Sequence, residues 1–203
     1  MKVALIGPTG NVGSRVLAEL LRRGHVVTGI ARHVEQLHIQ SHFTAEQGDA
    51  TDGDGLSKLL PGHDALISAG RFVSISPRAV IAAAKKAKVK RLLCVGGAGS
   101  LEVAPGMLLV DTPEFPAEYR SEALAGKDFL DLLRGERELD WTFLSPSALF
   151  VPGERTGKFR IGTDRLLTGE DGKSWISMED FAIAMVDELE NPRHSRKRFT
   201  IGY

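Results

Sequence analysis

Three glycines at a three-residue spacing, Gly7, Gly10 and Gly13, lie in the run Gly7-Pro8-Thr9-Gly10-Asn11-Val12-Gly13. An apolar run at 3–6 precedes them, and an amphipathic pattern of Val12, Val16, Leu17, Leu20 and Leu21 follows. That order predicts a strand, a glycine turn and a helix. With no side chain at the glycine positions, backbone N–H groups and the positive end of the helix dipole can approach a pyrophosphate. The implied chemistry is the holding of a dinucleotide, with Gly7, Thr9, Gly10, Asn11 and Val12 as its contacts. The spacing departs from the G-x-G-x-x-G fingerprint, and a tight turn without a ligand is the competing reading.

The end of the second expected strand carries the next chemical signal. A carboxylate about 20 positions beyond the glycines would bind the ribose hydroxyls of NAD. The chain instead reads Gly29-Ile30-Ala31-Arg32-His33. A guanidinium at Arg32 suits a 2′-phosphate, which favours NADP and leaves NAD possible; a solvated loop arginine is the plainer alternative. After the third expected strand, Gly48-Asp49-Ala50-Thr51-Asp52 offers Asp49 and Ala50 to the adenine edge, or else forms an ordinary turn with a helix cap.

Other chemistries leave poor traces. Cys94 is the one cysteine and sits in an apolar run, which reads as core rather than nucleophile. His38 and His42 have helical ligand spacing without an acidic third member, so no metal site is expected. Gly172-Lys173-Ser174 resembles the end of a phosphate loop, but Leu167 stands where its first glycine belongs. No G-x-S-x-G elbow occurs. The cluster Lys85, Lys86, Lys88, Lys90 and Arg91 reads as a solvated helix end that suits the dipole. With 26 basic and 26 acidic residues, no general attraction to nucleic acid or anionic membrane is implied.

These residues need elements to position them. Apolar runs at 2–6, 25–30, 64–69, 90–95 and 140–145, a weaker one at 43–47, and a last strand at 198–203 alternate mostly with helical patterns at 11–23, 54–60, 76–88, 118–134 and 178–190. Residues 33–40 are ambiguous. Strands alternating with helices predict an α/β fold, a doubly wound Rossmann-type parallel sheet. The 203 residues suit a single domain, with 146–177, rich in Gly and charge, as a small substrate-facing C-terminal cap. The three-proline connection at 101–118 is long enough to suggest a border of the substrate pocket. A four-residue apolar run before Gly7 is short for a signal peptide and nothing has membrane length, so a cytoplasmic protein is expected.

Taken together, the glycine run, Ala31-Arg32, Gly48-Asp49-Ala50-Thr51-Asp52, Ile67-Ser68-Ala69-Gly70, Val89-Lys90-Arg91, Leu139-Asp140-Trp141-Thr142 with Ser145-Pro146, and Ile176-Ser177-Met178-Glu179-Asp180-Phe181-Ala182 resemble the atypical short-chain dehydrogenase/reductase superfamily. The similarity is to its NmrA-like and flavin reductase/biliverdin reductase-like branch, over nearly the whole chain. The resemblance implies NAD(P) lying across the glycine turn, Ala69 and Gly70 after strand four, and Pro146, Ser147 and Ala148 near the nicotinamide. The superfamily's Tyr-x-x-x-Lys pair, in which a lysine tunes a tyrosine as proton donor, is missing: Tyr119 has Ala123 at the lysine position, as does Lys127 at the tyrosine position. Ser100 and Tyr119 are the remaining catalytic candidates. The resemblance therefore implies an NAD(P)H-dependent oxidoreductase that passes hydride to a small planar acceptor such as a flavin or quinone; the alternative is an NmrA-like redox sensor that binds NAD(P) without turnover.

Overall fold

The computed structural model describes residues 1–35 and 37–203; Gln36, within the ambiguous 33–40 stretch, lies outside the described residues. The described residues form twelve strands and five α-helices. The strands are β1 (Lys2–Ile6), β2 (Val26–Ala31), β3 (Phe43–Gln47), β4 (Ala65–Ser68), β5 (Arg91–Val95), β6 (Glu102–Ala104), β7 (Met107–Leu108), β8 (Asp140–Ser145), β9 (Leu149–Val151), β10 (Arg160–Gly162), β11 (Trp175–Ser177) and β12 (Lys197–Gly202). The helices are α1 (Asn11–Arg22), α2 (Gly53–Leu59), α3 (Pro77–Lys86), α4 (Ala117–Gly135) and α5 (Met178–Glu190).

Eight strands form one sheet in the order β10-β12-β8-β5-β4-β1-β2-β3. All pairings in it are parallel except that of β10 with β12. The fold is the expected doubly wound α/β sheet, with an antiparallel edge strand that the sequence pattern did not signal. The continuous apolar runs of β1, β4, β5 and β8 follow from burial on both faces. One face packs Leu66, Leu92, Phe129 and Phe143 into a core. The other packs Leu5, Leu93, Phe181 and Leu189. Three of the helices, α2, α3 and α5, start at side-chain caps: Asp52 accepts from the Asp54 and Gly55 N–H groups, Ser76 from Ala79, and Ser177 from Asp180.

The region 146–177, expected as a substrate-facing cap, is built into the sheets. It contributes β10 to the main sheet and the small β9–β11 ladder. From this region Arg155 reaches across to α1, where both Nε and Nη2 bond Glu19 at 3.0 Å. Arg22 and Arg23 bind the same carboxylate. Burial works to raise the Glu19 pKa, but the Arg155, Arg22 and Arg23 bonds outweigh it and hold the group at about 2. Among the described residues, no helix is long and apolar enough to cross a membrane.

Candidate functional site

The glycine turn joins β1 to α1 beside the end of β4. Gly7 has φ of 79°, a conformation that favours glycine, and its N–H donates to the Ile30 carbonyl at 3.0 Å. A Cβ at Gly7 would lie 2.9 Å from the Ala69 carbonyl oxygen. One at Gly13 would fall 1.9 Å from the Gly7 oxygen. Those two glycines let turn, helix and β4 loop close on one another. Gly10 differs: the nearest atom to a Cβ there is 3.5 Å away, and the residue is exposed. It is also the N-cap of α1 and supplies no side-chain cap, leaving the helix's first N–H groups and dipole open to an anion.

The turn forms the floor of a cleft of about 300 Å³. Its lining includes Gly7, Thr9 and Gly10 from the turn, Arg32 after β2, Asp49 and Ala50 after β3, and Ala69 and Gly70 after β4. Four of the sequence's separate signals thus converge at the carboxyl ends of β1, β2, β3 and β4. Here β1 feeds α1 and β2 on one side and abuts β4 on the other, the switch point at which such sheets bind ligands. Asn11 and Val12, in the first turn of α1, do not line the cleft. Asp49 accepts from the Thr51 N–H at 2.8 Å and its hydroxyl at 2.9 Å. Those bonds, with Arg32 nearby, hold its carboxyl below the usual range. The cap of the following helix belongs to Asp52, not Asp49.

Sequence reasoning missed Arg71, Ser74 and Ile75, which also line the cleft. Their signal was adjacency to Ala69-Gly70. Glu122 on α4 secures this loop, accepting from the Phe72 N–H at 2.7 Å and the Val73 N–H at 3.2 Å, with Arg71 Nε 3.8 Å away. Two arginines, Arg32 and Arg71, therefore flank one cleft.

The proposed nicotinamide-side residues are placed differently. Pro146, Ser147 and Ala148 follow β8 outside the cleft lining. Ser147 is fully buried and its hydroxyl donates to the Ile201 carbonyl at 2.9 Å, so its side chain faces β12. Ala148 is exposed, and its N–H donates to Ser174 Oγ at 3.1 Å. Ser100 is buried rather than open, with Oγ 3.4 Å from Arg198 Nη1. Tyr119 is 61% exposed in the first turn of α4. Lys127 pairs with Asp131 at 2.8 Å. Between them, Ala123 sits so close to Gly99 that a Cβ on that glycine would meet it at 2.7 Å.

The remaining groups follow structural roles. Cys94 is fully buried and burial pushes its thiol pKa up. Lys85 binds Glu136 and Glu138, Lys86 binds Asp54, and Arg91 binds Glu188. His38 and His42 are exposed. Among the described residues no group of three or more His, Cys, Asp or Glu is placed to hold a metal ion.

The sequence profile of a family described as NAD(P)H-binding matches residues 7–192. The uncharacterized protein YwnB of Bacillus subtilis is 41% identical, over 99% of this chain and 98% of its own. A structure from Bacteroides thetaiotaomicron, described as a candidate epimerase, is 43% identical with a TM-score of 0.95, covering 100% of this chain and 96% of that one. A candidate NADH-flavin reductase from Streptococcus pneumoniae is 35% identical with a TM-score of 0.80, over 100% of this chain and 99% of its own.

Proposed function

Since the chain belongs to the NAD(P)H-binding family, we propose that it is an NADPH-dependent reductase of a small planar acceptor, a flavin or quinone. The observation that carries the cofactor half is the cleft in which open Gly10 and the uncapped start of α1 face Arg32 and Arg71. The α1 N–H groups would hold the pyrophosphate. A guanidinium in that cleft, with no carboxylate at the end of β2, suits the 2′-phosphate of NADP rather than the bare ribose of NAD. Asp49 and Ala50 would border the adenine, and Pro146, Ser147 and Ala148 would reach the nicotinamide side through backbone. The bound dihydronicotinamide supplies a hydride.

The acceptor half rests on what surrounds α4. Exposed Tyr119 and Asp131-bound Lys127 do not make a tuned phenol. A flavin or quinone suits such a site because it takes hydride and draws its proton from solvent. The chain's contribution is then to orient donor and acceptor. The similarity to a candidate NADH-flavin reductase supports this class. A cytoplasmic setting belongs to the same proposal, in keeping with a single buried thiol.

The same α4 geometry favours a second reading, an NAD(P)-binding redox sensor without turnover. The deciding experiment is NADPH consumption in the presence of FMN and of a soluble quinone, run beside calorimetric NADPH titration. Acceptor-dependent consumption establishes the reductase. Tight binding with no consumption establishes the sensor.

A further inference from the structure

Arg198 lies on β12, between β8 and β10, with its side chain 3% exposed. Its neighbours Phe199 and Ile201 are apolar core residues, and the strand's pairing needs only backbone. An arginine buried in such a place is costly unless its donors are used. They are used on three separate segments. Nε and Nη2 bind Asp164 Oδ1 at 2.9 and 2.5 Å. Nη1 and Nη2 donate to the Ser100 carbonyl at 3.3 and 3.4 Å. Nη1 also lies 3.4 Å from Ser100 Oγ and 3.5 Å from Ser145 Oγ.

These contacts tie the loop after β5, the end of β8 and the strap after β10 to one guanidinium. The backbone closes the same junction: the Glu102 N–H donates to the Asp164 carbonyl at 2.8 Å, and the Leu166 N–H to the Glu102 carbonyl at 2.9 Å. Arg134 on α4 adds a weaker contact to Asp164 at 3.6 Å. The guanidinium has only donors, so both serine oxygens accept from it and their hydroxyl hydrogens point elsewhere.

We infer that Arg198 is a positioning residue that fixes the 96–100 loop, which lies at the carboxyl end of β5 and packs through Gly99 on α4, against the 164–166 strap, and that this junction, on the side of the sheet where such folds present ligands, sets the affinity for the proposed planar acceptor without touching the cofactor. The inference rests on the reductase reading for the identity of the acceptor. It does not rest on that reading for the coupling of the two segments. Burial of the guanidinium, which lowers its pKa, is in keeping with a role as a fixed internal strut.

The test uses the full chain with Arg198→Met, Arg198→Lys and Asp164→Asn. Arg198→Met is expected to raise KM for FMN and for a soluble quinone about tenfold, with kcat and the calorimetric Kd for NADPH each within about twofold of the parent. Arg198→Lys keeps the charge but not the fork and falls between. Asp164→Asn combined with Arg198→Met should be markedly less than additive. Amide hydrogen exchange should quicken together at 99–108 and 162–167 while the glycine turn is unchanged. If the parent consumes no NADPH, the reductase reading has failed; calorimetric binding of FMN to the NADP-loaded protein then replaces KM, and exchange still decides the coupling. An Arg198→Met protein with a lower Tm but parental KM, or parental FMN affinity, and with faster exchange confined to β12, overturns the inference.

Discussion

The Gly7 carbonyl oxygen occupies the space that a Gly13 side chain would need, 1.9 Å from the position of its Cβ. The middle glycine of the motif has no such neighbour, since the nearest atom to a Cβ on Gly10 is at 3.5 Å. The three glycines therefore do two jobs. Gly7 and Gly13 allow the turn to close, and Gly10 keeps a surface clear.

Gly13→Ala is expected to destabilise the fold by about 3 kcal/mol, the upper part of the overpacking range, lowering Tm by about 10 °C. Gly10→Val should remain folded, with only the ~1 kcal/mol cost of a poor N-cap residue, and should weaken NADPH by at least about 100-fold. Circular dichroism melts beside calorimetry check both. A Gly10→Val protein that binds NADPH like the parent would remove the pyrophosphate from this turn.

Arg32→Ala should weaken NADPH by about 10- to 100-fold, the worth of one charge-assisted contact of roughly 1.5–3 kcal/mol. NADH affinity should change by less than about threefold, because NADH has no 2′-phosphate for the guanidinium to hold. Equal dissociation constants for the two cofactors in the parent, or an unchanged ratio in the variant, would remove Arg32 from the site.

The long strands were readable because a parallel sheet buried on both faces writes them as unbroken apolar runs. β3 emerged at 43–47 even though only its first residue, Phe43, is buried. The cleft was readable in pieces, each at a strand end. What stayed hidden depends on pairings between distant segments. Nothing local tells Ser147 to face Ile201, or Ser100 to lie under Arg198. The short β6–β7 and β9–β11 ladders have two or three residues per strand, too few for a period to show. Arg71 was hidden in plain view, one residue past an assigned glycine.

Tyr119→Phe is expected to change kcat by less than about tenfold, roughly 1.4 kcal/mol in barrier. The phenol is 61% exposed, and Lys127, eight residues further along α4, is committed to Asp131. Steady-state NADPH oxidation with FMN is the measurement. A thousandfold loss at unchanged NADPH affinity would restore a proton-donating tyrosine to the mechanism.

Glu19→Gln should lower Tm at neutral pH by about 4–8 °C, on the order of 2 kcal/mol for a buried carboxylate whose arginine partners are partly solvated. The group sits at about 2 in the folded chain against an ordinary 4.5. Its contribution is therefore complete above about pH 4.5 and is lost as pH falls through about 2. Melts of parent and variant should converge across that acid window. A gap that stays constant to the acid end would mean that the carboxylate's charge is not what stabilises the cluster.

Strand β10 comes before β12 in the chain, yet β12 is the neighbour that holds it to the sheet. During synthesis, residues 160–162 must wait for 197–202 before their antiparallel ladder can form. Arg198 and its bonds to Ser100 and Asp164 arrive at that same moment. The residues that line the cleft all fall between 6 and 75, so apart from the brace of Glu122 on its Phe72–Val73 loop it can take shape on a ribosome before β10 and β12 pair. Nascent chains halted before residue 197 should therefore lack both the β10–β12 ladder and the Arg198 bonds, leaving the strap held at this junction by its backbone bonds to Glu102 and the weaker Arg134 contact alone.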